Sequence, residues 1–188
     1  MSDQQPVSAP APDAAVRPAR PADCVAIAAI TLASWRAQPD DLLPRDALDA
    51  VSLDDLARDW LDAVSSPPSR RHLVLVALEG DDVVAYALAE PSHDPDAAAD
   101  GTSCEIVDLV VRDDRTRRGH GSRLLAAIVD TLRETGADEL LIWVATGDDA
   151  RLAFLASAGL AADGASRTLE GGLGSGTLRQ VRCSARID

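Results

Sequence analysis

The sequence predicts a mixed α/β fold, a single sheet with helices on its faces. Two observations carry that expectation. Apolar residues recur at helical spacing in some stretches and as short β-branched runs in others. Along the chain these segments follow in the order α, α, β, β, β, α, β, α, β, β, with strand-like runs and helical segments alternating from residue 105 to residue 160. At 188 residues the chain fits one domain and is long enough to bury a core without disulfide staples.

The elements follow in turn. Residues 1–16, MSDQQPVSAPAPDAAV, are rich in proline, alanine and polar residues. They have neither the basic start nor the apolar stretch of a signal peptide, so they are expected to be a disordered tail, with the domain spanning 17–188. Prolines at 18 and 21 force an extended start. After Asp23, a candidate N-cap, the residues Cys24, Ile27, Ala28, Thr31 and Trp35 share one helical face, and Trp35 is assigned to the core. A polar connector with a short helical pattern leads to Ser52, where S-L-D-D resembles a capping box. Leu53, Leu56, Trp60 and Val64 form the buried stripe of that second helix.

The period then changes to two. HLVLVAL (72–78) and VVAYALA (83–89) flank EGDD and read as a hairpin. EIVDLVV (105–111) is a third strand that runs into an arginine-rich loop. A helix over 121–133 carries Leu124, Leu125, Ile128 and Leu132 on one side. ELLIWVA (139–145) is a strand, and 148–160 a helix closed by Gly159. The remainder reads as two strands joined by GGLGSG, a turn rather than a nucleotide loop.

Composition excludes several functions. The formal charge is -13 and the chain has arginine but no lysine; the acidic balance argues against nucleic acid as a partner and is read as solubility ahead of a mild preference for cationic ligands. Cys24, Cys104 and Cys183 lie far apart without CxxC spacing, which suits a reducing cytoplasm and argues against a metal. His72, His93 and His120 are equally scattered. No apolar run approaches the ~18–20 residues of a membrane span.

The loop DDRTRRGHGSRLL (113–125) carries the chemistry. Five arginines fall between positions 112 and 123, and two glycines open a helix. A helix N-terminus offers unpaired N–H groups and the positive end of the dipole. Glycine admits a ligand close to the backbone, and arginine adds charge-assisted bonds, so the loop reads as a pyrophosphate cradle. A solvated basic helix start is the alternative. Walker A requires a Lys that RGHGSR lacks, and the Rossmann fingerprint requires a glycine where Leu124 stands.

Thr116-Arg-Arg-Gly119-His-Gly121, after a strand and opening a helix, resembles the Gln/Arg-x-x-Gly-x-Gly/Ala signature of the GNAT superfamily of acetyl-CoA-dependent N-acetyltransferases. The element order from Arg17 onward is similar too. Thr116 departs at the first position, losing a long polar side chain but not the backbone cradle. The resemblance implies a mostly antiparallel central sheet, splayed at the CoA site, with helices on both faces. It implies acetyl-CoA as co-substrate, with Arg117, Arg118, Gly119, His120, Gly121 and Ser122 at its pyrophosphate and the backbone of Leu109, Val110 and Val111 at its pantetheine. It also implies a small-molecule or peptide amine as acceptor in a cytoplasmic enzyme, and leaves a homodimer open.

Glu105, fourteen residues before Gly119, is spaced like the base of the histone acetyltransferase branch. Asp108 is the second choice; strict alternation points it to the opposite sheet face unless a bulge intervenes. In the later helix the family's Asn-x-x-Ala-x-x-φ-Tyr pattern falls on Asp148, Arg151, Phe154 and Leu155, and the resemblance sets Asp148 and Leu155 beside the cofactor. Leu155 stands where a tyrosine would protonate the leaving thiolate and has no proton to give. Tyr86, the single tyrosine, is expected to pack. An acyl-CoA-binding module without turnover is the alternative reading.

Overall fold

The computed structural model describes residues 14–97, 102–170 and 176–187. The order is β1 (Ala14–Pro18), α1 (Cys24–Arg36), α2 (Arg45–Asp49), α3 (Leu53–Ser65), β2 (Leu73–Glu79), β3 (Asp82–Pro91), β4 (Ser103–Val111), α4 (His120–Arg133), β5 (Glu139–Ala145), α5 (Asp149–Ser157), β6 (Ala161–Glu170) and β7 (Thr177–Arg186). The seven strands form one sheet in the order β1-β2-β3-β4-β5-β7-β6. Every pairing is antiparallel except β4 with β5. Among the described residues no helix is long and apolar enough to cross a membrane.

Local chemistry sets the boundaries. Gly80, in the two-residue turn between Glu79 and Asp82, has φ +60°, where a side chain would be strained. The Ser52 side chain accepts the Asp55 N–H at 3.3 Å and caps α3. Asp23 precedes α1, but its carboxylate accepts from the Arg20 N–H at 2.7 Å and the Arg17 guanidinium at 2.6 Å, which ties β1 to the helix start.

The folded region begins earlier than the expected Arg17. Ala14, Ala15 and Val16 are already paired with Glu79, Leu78 and Ala77, and Val16 packs on the core. A polar, proline-rich composition did not reveal a five-residue edge strand whose partner is sixty residues away. Residues 1–13 of the expected tail lie outside the described residues, as does most of the GGLGSG turn.

The core sits on both sides of the sheet. Leu124, Ile128 and Leu132 of α4 and Leu155 of α5 pack with Ile106, Leu140 and Ile142 on one face. Ile27 of α1 and Trp60 of α3 pack with Val76 and Tyr86 on the other. Leu53, expected in the buried stripe of α3, is 37% exposed.

Two irregularities in β4 shape everything that follows. First, β4 pairs with β5 only from Ser103↔Glu139 to Ile106↔Ile142. Beyond that point β4 continues with β3 and β5 with β7. The β5-facing backbone of Val107–Val111 is therefore left without a strand partner, which is the splay the resemblance implied. Second, Leu88 pairs with Asp108 but Ala89 with Ile106, so Val107 is an extra residue, a bulge. The bulge resets the alternation: Ile106 and Leu109 share the α4/α5 side, while Asp108 and Glu105 both take the α1/α3 side, opposite Leu88 and Glu90.

Candidate active site

The arginine loop is sorted by its carboxylates. Glu79, at the end of β2, accepts the His120 Nε2–H at 2.8 Å and ion-pairs with Arg115 at 3.1 Å and Arg118 at 3.4 Å. The His120 hydrogen bond, then the nearby arginines, hold the Glu79 carboxyl below the usual range against a small burial cost. Arg112 and Arg115 also pair with Asp114, and Arg123 donates to the Arg118 carbonyl at 3.0 Å. Arg117 has no carboxylate partner among the described residues and lines the cleft. Its φ is +61° and that of Gly119 is +82°; this left-handed turn aims the start of α4 at the cleft.

A cavity of about 630 Å³ opens there. Its floor is Leu109 and Val111, one wall is the backbone from Gly119 to Ser122, and the other is α5 through Ala150, Arg151 and Phe154. The first N–H groups of a helix have no intrahelical partner, and here the N–H of Arg123 is the first to find one, the Gly119 carbonyl at 3.1 Å. A Cβ added to Gly121 would lie 3.4 Å from Phe154 Cζ and 3.9 Å from Val111 Cγ2, so any larger side chain narrows the cleft. The His120 side chain is buried, with its Nε2 against Glu79.

A second cavity, about 580 Å³, shares Leu109, Val111 and Arg151 with the first. It adds Trp35 and Gln38 at the end of α1, Asp108 on β4, Trp143 on β5, and Asp148 and Glu170. The two cavities meet at the unpaired end of β4. Trp35 is thus a half-buried wall residue rather than core.

Asp108 is the carboxylate of β4 that lines the second cavity. Burial pushes its pKa up, against opposing effects of a hydrogen bond from Tyr86 and the charge of Arg151. Tyr86 is fully buried, packs edge-on against Trp60 and also makes a polar contact, donating toward Asp108 Oδ2 at 3.3 Å. Glu105 opens elsewhere, into a cavity of about 420 Å³ beside Glu90, His93, Asp94 and Arg167. Its pKa is raised by burial and by Asp94 and Glu90, with Arg167 opposing. Trp143, with the Arg167 guanidinium 4.3 Å from its ring centre, lines both spaces. The bulge therefore brings both candidate bases to one face but does not bring them into one cavity.

On α5, Asp148 is the N-cap, accepting the Arg151 N–H at 3.0 Å. Leu155 is fully buried in the core and lines neither cavity, which corrects its placement beside the cofactor; Phe154 and Arg151 face the cleft instead. Sequence reasoning also passed over Trp143. Nothing in ELLIWVA marks it, because only the splay exposes one side of that strand. Arg151 did carry a signal, as a large cation where the family pattern has alanine. No group of His, Cys, Asp and Glu that could hold a metal occurs among the described residues.

The profile of the acetyltransferase (GNAT) family matches residues 32–160, a span that holds β4, the loop, α4 and α5. The chain belongs to the GNAT acetyltransferase family. Solved structures agree on the fold. A ribosomal-protein-alanine N-acetyltransferase from Brucella melitensis superposes with a TM-score of 0.74 at 23% identity, over 92% of this chain and 99% of that one. The yncA structure from Salmonella typhimurium, with its cofactor acetyl-CoA, gives 0.72 at 21% over 93% and 94%. The PaiA N-acetyltransferase of Thermoplasma acidophilum, in complex with coenzyme A, gives 0.68 at 12% over 93% and 99%. Comparison with curated proteins returns no match. In this GNAT acetyltransferase the loop borders the first cavity, and the β4 splay is where the two cavities meet.

Proposed function

We propose that this GNAT acetyltransferase takes its acetyl group from acetyl-CoA in the first cavity and passes it to an amine that enters through the second. The observation that carries the reading is the meeting of the two cavities at the unpaired end of β4. The residues fit the donor. Unpaired N–H groups from Gly119 to Ser122, the dipole of α4 and the Arg117 side chain suit a pyrophosphate, with Arg118 as flanking charge. The free backbone of Leu109, Val110 and Val111 suits an amide-bearing arm. Bound there, acetyl-CoA supplies an activated thioester carbonyl.

An alkyl ammonium with a pKa near ~10.4 must lose its proton before it can attack. Asp108 is the base best placed to take it, since it lines the second cavity beside the unpaired end of β4 and burial brings its pKa nearer the working range. Glu105 would have to act across Trp143. Asp108, Asp148 and Glu170 give the acceptor side acidic character, which favours an amine that arrives as a cation. The test is titration with CoA followed by thiol release from acetyl-CoA across an amine panel. Amine-dependent thiol release supports the reading. CoA binding with no release for any amine would turn it toward a non-catalytic acyl-CoA-binding domain.

A further inference from the structure

The cations of the loop are accounted for, but one on α5 is not. Arg151 sits one turn before Leu155, half-buried, with its Nε fully enclosed and lacking a hydrogen-bond partner. Its guanidinium forms no ion pair among the described residues. It lines both cavities, together with Leu109 and Val111. The start of α4 lines only the first cavity and Asp108 only the second, so Arg151 stands at the junction, where donor carbon and acceptor nitrogen would have to meet. An enclosed guanidinium N–H without a partner is costly, and burial pulls the Arg151 pKa down, with Asp148 and Asp108 opposing. An anion arriving at the junction would offset that cost.

We infer that the Arg151 guanidinium is the partner of the thiolate that leaves when the acetyl group is transferred, in place of the proton donor that Leu155 cannot be. This rests on acetyl-CoA being the donor. The step balances as follows. Asp108 passes the ammonium proton to water before attack; the neutral amine's lone pair then forms the N–C bond, and the second proton, which the acylated nitrogen must lose, goes to Asp108. The C–S bond breaks with its electron pair on sulfur, and the resulting negative charge faces Arg151, which stays protonated because a guanidinium does not deprotonate in this range. Asp108 then returns its proton to the sulfur or to water. The thiolate, rather than a phosphate, is assigned to Arg151 because Arg151 also lines the second cavity, which the start of α4 does not.

The test needs no turnover. Dissociation constants of CoA and desulfo-CoA are measured by calorimetry from about pH 6 to about pH 9.5, a range that brackets an ordinary thiol pKa. If the bound thiol ionises more readily than the free one, CoA affinity rises with pH, about tenfold for each unit by which its pKa is lowered. Desulfo-CoA affinity should show no such rise. Arg151→Gln should abolish the difference between the two ligands, and Arg151→Lys should retain part of it, with circular dichroism and Tm confirming that both variants fold. Parallel pH profiles for the two ligands in the parent protein would overturn the inference. So would an equal, pH-independent loss of both ligands in Arg151→Gln, which would mean that Arg151 grips a phosphate. Absence of CoA binding in the parent would overturn the donor reading, and this inference with it.

Discussion

The Tyr86 hydroxyl lies 3.3 Å from Asp108 Oδ2 and 2.9 Å from Thr31 Oγ1. Thr31 in turn accepts the Trp60 indole N–H at 3.2 Å. A phenol has one proton, and Asp108 as a carboxylate can only accept, so the buried chain runs Trp60 to Thr31 to Tyr86 to Asp108. It joins α3, α1, β3 and β4 and ends at the carboxylate facing the acceptor space.

Tyr86→Phe keeps the ring but removes the last donor of that chain. The expected stability loss is about 1–3 kcal/mol, the cost of leaving a buried polar group unsatisfied. The hydrogen bond favours the charged form of Asp108, so its loss should raise that pKa further and move the acid limb of the rate profile to higher pH. Stability should respond with the same sign. A carboxyl whose folded pKa is raised binds more protons folded than unfolded, so stability declines as pH rises from the unfolded to the folded value. That window should widen in the variant. A pH–rate profile and Tm against pH check both points.

Asp108→Asn should lower turnover near neutral pH by about 10²–10⁴, the usual range for a general base. The deficit should shrink at high pH, where solvent deprotonates the amine unaided. Glu105→Gln should cost less, because Glu105 opens into a different cavity. Thiol release followed against pH for both variants distinguishes them; a larger loss in Glu105→Gln would exchange their roles.

Deleting residues 1–16 should destabilise the protein. It removes three of the five paired positions of β1 and the packing of Val16. Loss of roughly half a valine's burial is worth about 1 kcal/mol, or about 2–4 °C in Tm for a chain of this size. An unchanged Tm would mean that β1 contributes nothing.

Leu155→Met should be nearly silent in folding, under ~1.5 kcal/mol, because it conserves volume. Leu155→Ala should cost about 2–5 kcal/mol, since the site is fully buried. Thermal melts test the pair, and a severe turnover loss in Leu155→Met with normal CoA affinity would contradict a packing role.

The loop was legible in the sequence because its requirements are local: glycine at Gly119 for a left-handed turn, arginines beside it, an apolar period behind it. So was the hairpin around Gly80, and the stripe Leu124, Ile128 and Leu132. The base was less legible. Alternation along EIVDLVV puts Glu105 and Asp108 on opposite faces, and only the extra residue at Val107, set by pairing with β3, returns them to one. Trp35 follows a helical stripe into the core by period, yet the sheet it would pack on ends at the splay. Leu155 occupies the tyrosine position by register, but its short apolar side chain stays in the core and leaves Phe154 and Arg151 to face the cleft.

Calorimetric titration of CoA into the parent protein, Gly121→Val and Arg117→Glu tests the assignment of the cleft most directly. Gly121→Val fills the space in front of Phe154 and Val111, and Arg117→Glu reverses the one loop arginine that faces the cleft without a carboxylate partner. The parent should bind CoA at one site per chain. Each variant should bind at least about tenfold more weakly, or ~1.4 kcal/mol, with Tm unchanged within error. No binding by the parent, or parental affinity in both variants, would contradict the assignment of the cleft.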